Sequence, residues 1–216
     1  MFHLCDLATG AWSRHGGSAV QGSSTYVSAC YDAPRNRWYK WVNAGHTLKK
    51  IDYFDGATKD WLQSAEWPGW PPNICERGAI CMYQGYLICQ GRRAHGNFWA
   101  LLDPDNLAAG WVSLTFSGTI GGSDEEEYAF FPPTGKYYNM PKAGGSTLHR
   151  VTPPASSPKT NTWTADTVTL NQSVPQRTTQ SGQQTHQRGL VYVPSIERLA
   201  WFPGGSESVY LINPTS

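Results

Sequence analysis

Four tryptophans recur at nearly equal intervals, Trp12, Trp61, Trp111 and Trp163, set 49, 50 and 52 residues apart. Each closes a similar phrase. The first two read Asp6-Leu-Ala-Thr9-Gly-Ala-Trp12 and Asp55-Gly-Ala-Thr58-Lys-Asp-Trp61, the same D-x-x-T-x-x-W. The fourth, Ser157-Pro-Lys-Thr160-Asn-Thr-Trp163, keeps Thr and Trp and carries Ser in place of Asp. The third runs from Asp103 to Trp111, two residues longer, with Asn106 in the Thr position, and a fifth opens at Asn213-Pro-Thr-Ser216. A unit of about 50 residues cannot bury its apolar face alone, so such units must stack or radiate.

The phrase has a physical reading. Asp or Ser followed by Thr or Gly suits a tight reversal, because these side chains bond the local backbone and Gly accepts positive φ. The Trp then opens a strand, where its ring covers the gap between adjacent sheets. Short apolar runs precede the phrases at 2–5, 48–53, 98–102 and 148–151. Upstream of each lies another hairpin: 26–42 turning at Pro34-Arg-Asn36, 79–90 turning at Gln84-Gly85, 129–140 turning at Thr134-Gly135, and 190–202 turning near 194–197. Four strands in each period of about 50 residues make an all-β chain of four-stranded antiparallel propeller blades.

An aromatic hairpin, then a Gly (Gly45, Gly91, Gly144, Gly204), then a short strand, then D-x-x-T-x-x-W resembles the kelch repeat of kelch and galactose-oxidase-type propellers. The likeness covers nearly the whole chain. At this place the kelch Gly-Gly pair stands only as Gly144-Gly145 and Gly204-Gly205. What the resemblance implies is a fold, and by itself no activity.

The composition agrees with many short strands and tight turns: 22 Gly, 15 Pro and 28 aromatic residues, against 15% charged. No window of ten residues shows an apolar 3.6 period free of Gly or Pro, so almost no helix is expected. A formal net charge of +1 gives no electrostatic reason to expect nucleic acid or an anionic membrane as partner. No apolar stretch approaches the roughly 18 residues of a membrane span. The opening Met1-Phe-His-Leu-Cys-Asp6 lacks the basic and apolar regions of a signal peptide and reads as mid-blade sequence. The expected location is a virion or extracellular surface reached without a signal peptide, or otherwise the cytoplasm; a segment of a longer product is the third reading. Five cysteines without a C-x-x-C make no disulfide framework. Cys81 and Cys89 flank the Gln84-Gly85 turn on opposite faces, and small buried thiols are expected.

The chain is read as one propeller domain, 1–216. It holds a partial blade at 1–16, complete blades at 24–66, 77–116 and 127–170, and a second partial blade at 188–216. Residues 2–6 and 209–213 both occupy the third-strand position, so the partial blades compete for one place. A fragment of a larger propeller, an irregular ring with a redundant strand, and completion by another chain all remain open. Uncovered apolar faces and strand edges require completion of some kind.

The connections at 13–24, 63–77, 116–127 and 170–188 are much longer than hairpin turns, and binding residues collect on such loops. Trp67-Pro-Gly-Trp70-Pro-Pro-Asn73 holds two Trp rings stiffly, suited to stacking on sugar faces. The alternative is that both plug the ring mouth or pack on the next blade. Arg92-Arg93-Ala-His95 reaches carboxylate or phosphate substituents, or is a solvated loop. The acidic run at 121–127 lacks the alternating spacing of a calcium loop and reads as solvated. The Gln- and Thr-rich stretch 171–187 reads as a loop. No catalytic or metal-site motif is present: the six His match no copper-ligand pattern, and G-x-S-x-G, H-E-x-x-H and phosphate loops are absent. No cofactor is therefore expected.

The functional expectation is a non-enzymatic propeller serving as a structural or adhesive component of a larger assembly, such as a phage virion or tail protein. Its expected partners are the other chains of that assembly, or host-surface glycans. A free glycan-binding lectin is the alternative, and a fragment of a secreted carbohydrate oxidase or hydrolase is the third reading.

Overall fold

The computed structural model describes residues 2–5, 8–15, 27–42, 51–64, 79–93, 96–121, 128–141, 143–176, 189–203 and 208–215. Among them the chain is strand and turn, its helical elements being two single 3-10 turns at Leu107–Ala109 and Pro194–Ile196. Strands β1 (Phe2–Cys5) and β2 (Trp12–His15) pair alone. Strands β3 (Val27–Asp32), β4 (Arg37–Val42), β5 (Asp52–Asp55) and β6 (Asp60–Gln63) form a sheet in sequence order. So do β7 (Ala79–Tyr83), β8 (Tyr86–Arg93), β9 (Gly96–Leu102) and β10 (Val112–Ser113). A five-stranded sheet has the order β11 (Phe116–Ser117), β15 (Trp163–Val174), β14 (Gly145–Thr152), β13 (Lys136–Asn139), β12 (Ala129–Phe131). Strands β16 (Leu190–Val193), β17 (Arg198–Trp201) and β18 (Tyr210–Ile212) make the last sheet. The fold class is the all-β propeller of small antiparallel blades. The chain forms two compact units, residues 1–89 with 100–112, and residues 90–99 with 113–216.

The repeated phrase is a turn built on its first side chain. Asp55 Oδ1 accepts the N–H groups of Ala57 (2.9 Å) and Thr58 (3.3 Å), and the Lys59 N–H returns to the Asp55 carbonyl at 2.8 Å. Asp103 does the same for Asp105 (3.0 Å), and Asn213 Oδ1 takes both the N–H and the hydroxyl of Thr215. A short side-chain acceptor three bonds from Cα is what such a turn requires. Ser157 uses the main chain instead: at φ 50° its carbonyl accepts from Thr160 and Asn161, each at 3.0 Å. The upstream hairpin of β7 and β8 turns at Gln84 (φ 47°) and Gly85 (φ 82°), two successive left-handed residues that match the strand twist.

The four phrase tryptophans are buried to different degrees. Trp163 has no exposed surface, donates Nε1–H to Pro158 O at 2.8 Å, and packs in an aromatic cluster with Trp99, Phe116 and Tyr137. Trp111 is buried, Trp61 is half-buried edge-on to Phe54, and Trp12 is 70% exposed. Trp12 opens β2, which has β1 as its one hydrogen-bonded neighbour among the described strands.

In the second unit the five-stranded sheet is packed on both faces. Tyr137, Trp163 and Trp99 lie on one side, with Trp99 edge-on to Tyr137 at 5.3 Å and to Tyr128 at 5.1 Å. Phe131, Tyr138, Leu148 and Leu170 point the other way and meet Leu190, Leu199, Trp201 and Ile212 of β16–β18 in one apolar core. Two features depart from the sequence reading. Residues 116–127 were expected to be a connection, yet Phe116 and Ser117 form β11, parallel to the start of β15. Residues 171–174, expected in a loop, extend β15 to Val174. Their polar side chains face solvent, so composition hid the strand. Gly144 and Gly145 (φ 71° and 107°) open β14 where a Cβ at Gly144 would collide with the Val174 carbonyl, so this Gly-Gly pair serves a close backbone approach.

The unequal burial has a measurable consequence. Trp163→Ala is expected to lower stability by about 3–5 kcal/mol, and Trp12→Ala to change it by less than about 0.5 kcal/mol. Urea unfolding of both variants checks this; equal losses would contradict the packing described.

Candidate functional site

The sequence placed Trp67 and Trp70 on a long connection and read Arg92-Arg93-Ala-His95 as a nearby loop. Trp67, Trp70 and His95 lie outside the described residues, as do 122–127 of the acidic run. Arg92 and Arg93 close β8, and their side chains too lie outside the described residues. No two of these candidates are brought together by what is described. Among the described residues no group of three His, Cys, Asp or Glu is placed to hold a metal; Cys89 is buried and Cys30 and Cys81 are half-buried. No helix is long and apolar enough to cross a membrane.

In the first unit the charged groups at the hairpin turns are engaged with one another. Arg35, in the β3–β4 turn, donates Nη1–H to Asp32 Oδ2 at 2.9 Å and also points it at the Gly85 carbonyl of the β7–β8 turn. Its Nε and Nη2 grip both oxygens of Asp105, in the turn after β9, at 2.8 and 2.5 Å. One guanidinium thus joins three turns. The Asp32 side chain is only 1% exposed, so its charge requires that partner. Arg37 donates Nε–H to Asp55 Oδ2 at 3.1 Å and lies over the Tyr53 ring. In the second unit Arg150 and Asp166, opposite each other on β14 and β15, form a two-pronged pair at 2.8 and 2.6 Å. These pairs hold the scaffold; their hydrogen-bonding groups are directed at one another.

The exposed surface of the second unit is of another kind. Antiparallel pairing sets Val191 opposite Ala200 and Ala200 opposite Leu211. The ladder runs on, with the Phe202 N–H donating to Gly189 O at 2.7 Å, which brings Phe202 and Val209 to the same face. On that face Val191, Phe202, Val209 and Leu211 are 40%, 44%, 49% and 52% exposed. They are four of the nine large apolar side chains exposed among the described residues, gathered on one small sheet. Beside them, Leu211, Ile212 and Asn213 together with Leu170, Asn171, Gln172 and Val174 of β15 line an open depression of about 180 Å³. β18 is an edge strand of the described sheet. The sequence named 209–213 as a strand in want of completion, but the apolar face could not be seen until the 194–197 turn fixed the register.

No protein-family model matches the chain, and no curated protein matches it. Solved structures that resemble it include a candidate 6-phosphogluconolactonase from Bacteroides uniformis, 12% identical, aligned over 95% of this chain with a TM-score of 0.49. The chain spans 60% of that protein's length.

The ion pairs set an acid limit to stability. Hydrogen bonds from the Ala57 N–H and from Arg37 hold Asp55 below the usual carboxylate range; Arg35 does so for Asp105 and Arg150 for Asp166. A carboxyl whose folded value is depressed adds stability above its unfolded value near 3.9, and that stability is lost as pH falls through the folded value. The melting temperature is therefore expected to fall steadily from about pH 5 downward, and Asp55→Asn to fall less steeply over the same range. Parallel pH profiles of the two proteins would refute the assignment.

Proposed function

We propose that this chain is a non-enzymatic binding propeller that works as a structural or adhesive component of a larger assembly. The observation that carries the reading is the apolar face of β16–β18. The neighbouring sheet of the same unit is packed on both faces, whereas on β16–β18 Val191, Phe202, Val209 and Leu211 stand exposed around the buried Ala200. Contiguous apolar area of this kind on a small domain marks a contact surface. Burying it on a partner gains about 25 cal/mol per Å² of apolar surface removed from water. β18, an edge strand among the described residues, offers backbone donors and acceptors to a partner strand.

The repeat itself is read as kelch-like, on D-x-x-T-x-x-W and the turn chemistry that Asp55 and Asp103 supply. A virion or phage tail is the proposed setting, in which the partners are the other chains of the particle.

Isolation from the native source tests the reading. The chain is expected in a particle far heavier than its own 23.9 kDa, and Leu211→Glu is expected to release it with an unchanged melting curve. A native protein that runs at its monomer mass would overturn the assembly reading.

A further inference from the structure

Three sheets of the chain carry a phrase tryptophan at the head of their last sequential strand. These are Trp61 in β6, Trp111 just before β10 and Trp163 at the start of β15. In the first of them, register sets Trp61 opposite Phe54, the residue before the turn-forming Asp55. The sheet β16–β18 reaches the same point with no such strand beside it among the described residues. Asn213 makes the phrase turn, as Asp55 does. Ile212 stands where Phe54 stands, since Leu199 is opposite Ile212 as Trp38 is opposite Phe54. A strand laid antiparallel on the β18 edge in the phrase register therefore brings its tryptophan opposite Ile212. The ring then lies on the face that Ile212 turns toward the core it shares with Leu170 and Val174 of β15.

The open depression of about 180 Å³ lies at that place. Leu170, Val174 and Ile212 line it, each less than a tenth exposed, and Asn171, Gln172 and Asn213 border it. A buried indole needs an acceptor for its N–H. Pro158 O serves Trp163 and Pro175 O serves Trp201; here the exposed amides of Asn171 and Gln172 offer one. The next row carries a charge preference. Arg37 lies opposite Asp55 and donates to its carboxylate. Arg198 holds the equivalent place, one step along from the Leu199–Ile212 pair, but faces the neutral Asn213. The residue before the incoming tryptophan falls in this row beyond Asn213, about 10 Å from Arg198 at the backbone. Arginine and an acidic side chain together bridge that gap. The residue after the tryptophan falls beside Leu211, which is 52% exposed, and is best apolar. We propose that the β18 edge and this depression dock an extended strand of another protein chain, bearing the order acidic, tryptophan, apolar.

The backbone of that strand pairs with β18, its indole fills the depression and its carboxylate faces Arg198. A second copy of this chain is the poorer occupant. Its exposed Trp12 offers the ring, but Ala11 precedes it where the acid is wanted. Trp12 also pairs with Cys5, the residue before Asp6, so β1 already holds the edge of β2 that a phrase strand uses. The proposal rests on the assembly reading and names the element through which a partner attaches.

The test titrates the full chain, labelled with ¹⁵N, with a synthetic peptide copying residues 57–65, which carries Asp60-Trp61-Leu62 in the required order. Chemical-shift changes are expected at 170–174 and 209–213. Alanine in place of the peptide's tryptophan should weaken binding roughly tenfold or more. Asparagine in place of its aspartate should weaken it about threefold, and Arg198→Ala in the chain should erase that difference. N-methylation of the peptide bonds facing β18 should abolish binding, while methylation on the outer edge should spare it. No shift changes, equal binding by the tryptophan and alanine peptides, or equal effects of methylation on the two edges overturns the proposal. So does self-association of the chain alone that Trp12→Ala abolishes, because a second copy then fills the site. Native mass decides the assembly reading separately, so a chain that travels in a particle yet ignores the peptide overturns this proposal alone.

Discussion

A blade of three to five strands, most of them six residues or shorter, has two faces and almost no interior of its own. Whatever apolar side chains it carries on either face must be covered by something outside the sheet. In the second unit that constraint is met by the five-stranded sheet, which stands between Trp99 on one side and Trp201 on the other. Trp163 is buried completely only because both conditions hold around it: the phrase turn delivers it to the start of β15, and β11 lies alongside. At β16–β18 the same strand pattern leaves Val191, Phe202, Val209 and Leu211 exposed.

The hairpin turns solve a separate problem. Bringing strands together also brings their turns together, and the turns here are rich in Asp. Arg35 and Arg37 neutralise that concentration of charge while fixing the spacing of the turns. With Asp55 already committed to two backbone N–H groups, the carboxylates at these turns are held by structure. That leaves binding to other surfaces. The one that stands out is the face of β16–β18, where four exposed apolar side chains lie on the same side as Arg198.

The period of tryptophans and the turn residues made the blade repeat legible, because both are local. Asp55, Asp103 and the Gln84-Gly85 pair act through bonds to residues only a few positions away, and their chemistry is written in the sequence next to them. Strand β11 was not legible: Phe116 and Ser117 pair with Trp163 and Thr164, more than 40 residues on, and nothing local announces it. The end of β15 was hidden for another reason, since Asn171 to Val174 looks like a loop by composition. The surfaces were harder still. Val191, Phe202 and Leu211 need the turn at 194–197 to face the same way. The sequence pointed to Trp67, Trp70, Arg92, Arg93 and His95 because loops concentrate function on average.

The central claim is that the β16–β18 face is covered in the working protein. Hydrogen–deuterium exchange, compared between the isolated chain and its native assembly, tests it most directly. Slowed exchange at 209–212 in the assembly, with Trp163 and its neighbours equally protected in both, is the expected result. Equal exchange at 209–212 in the two states would contradict it.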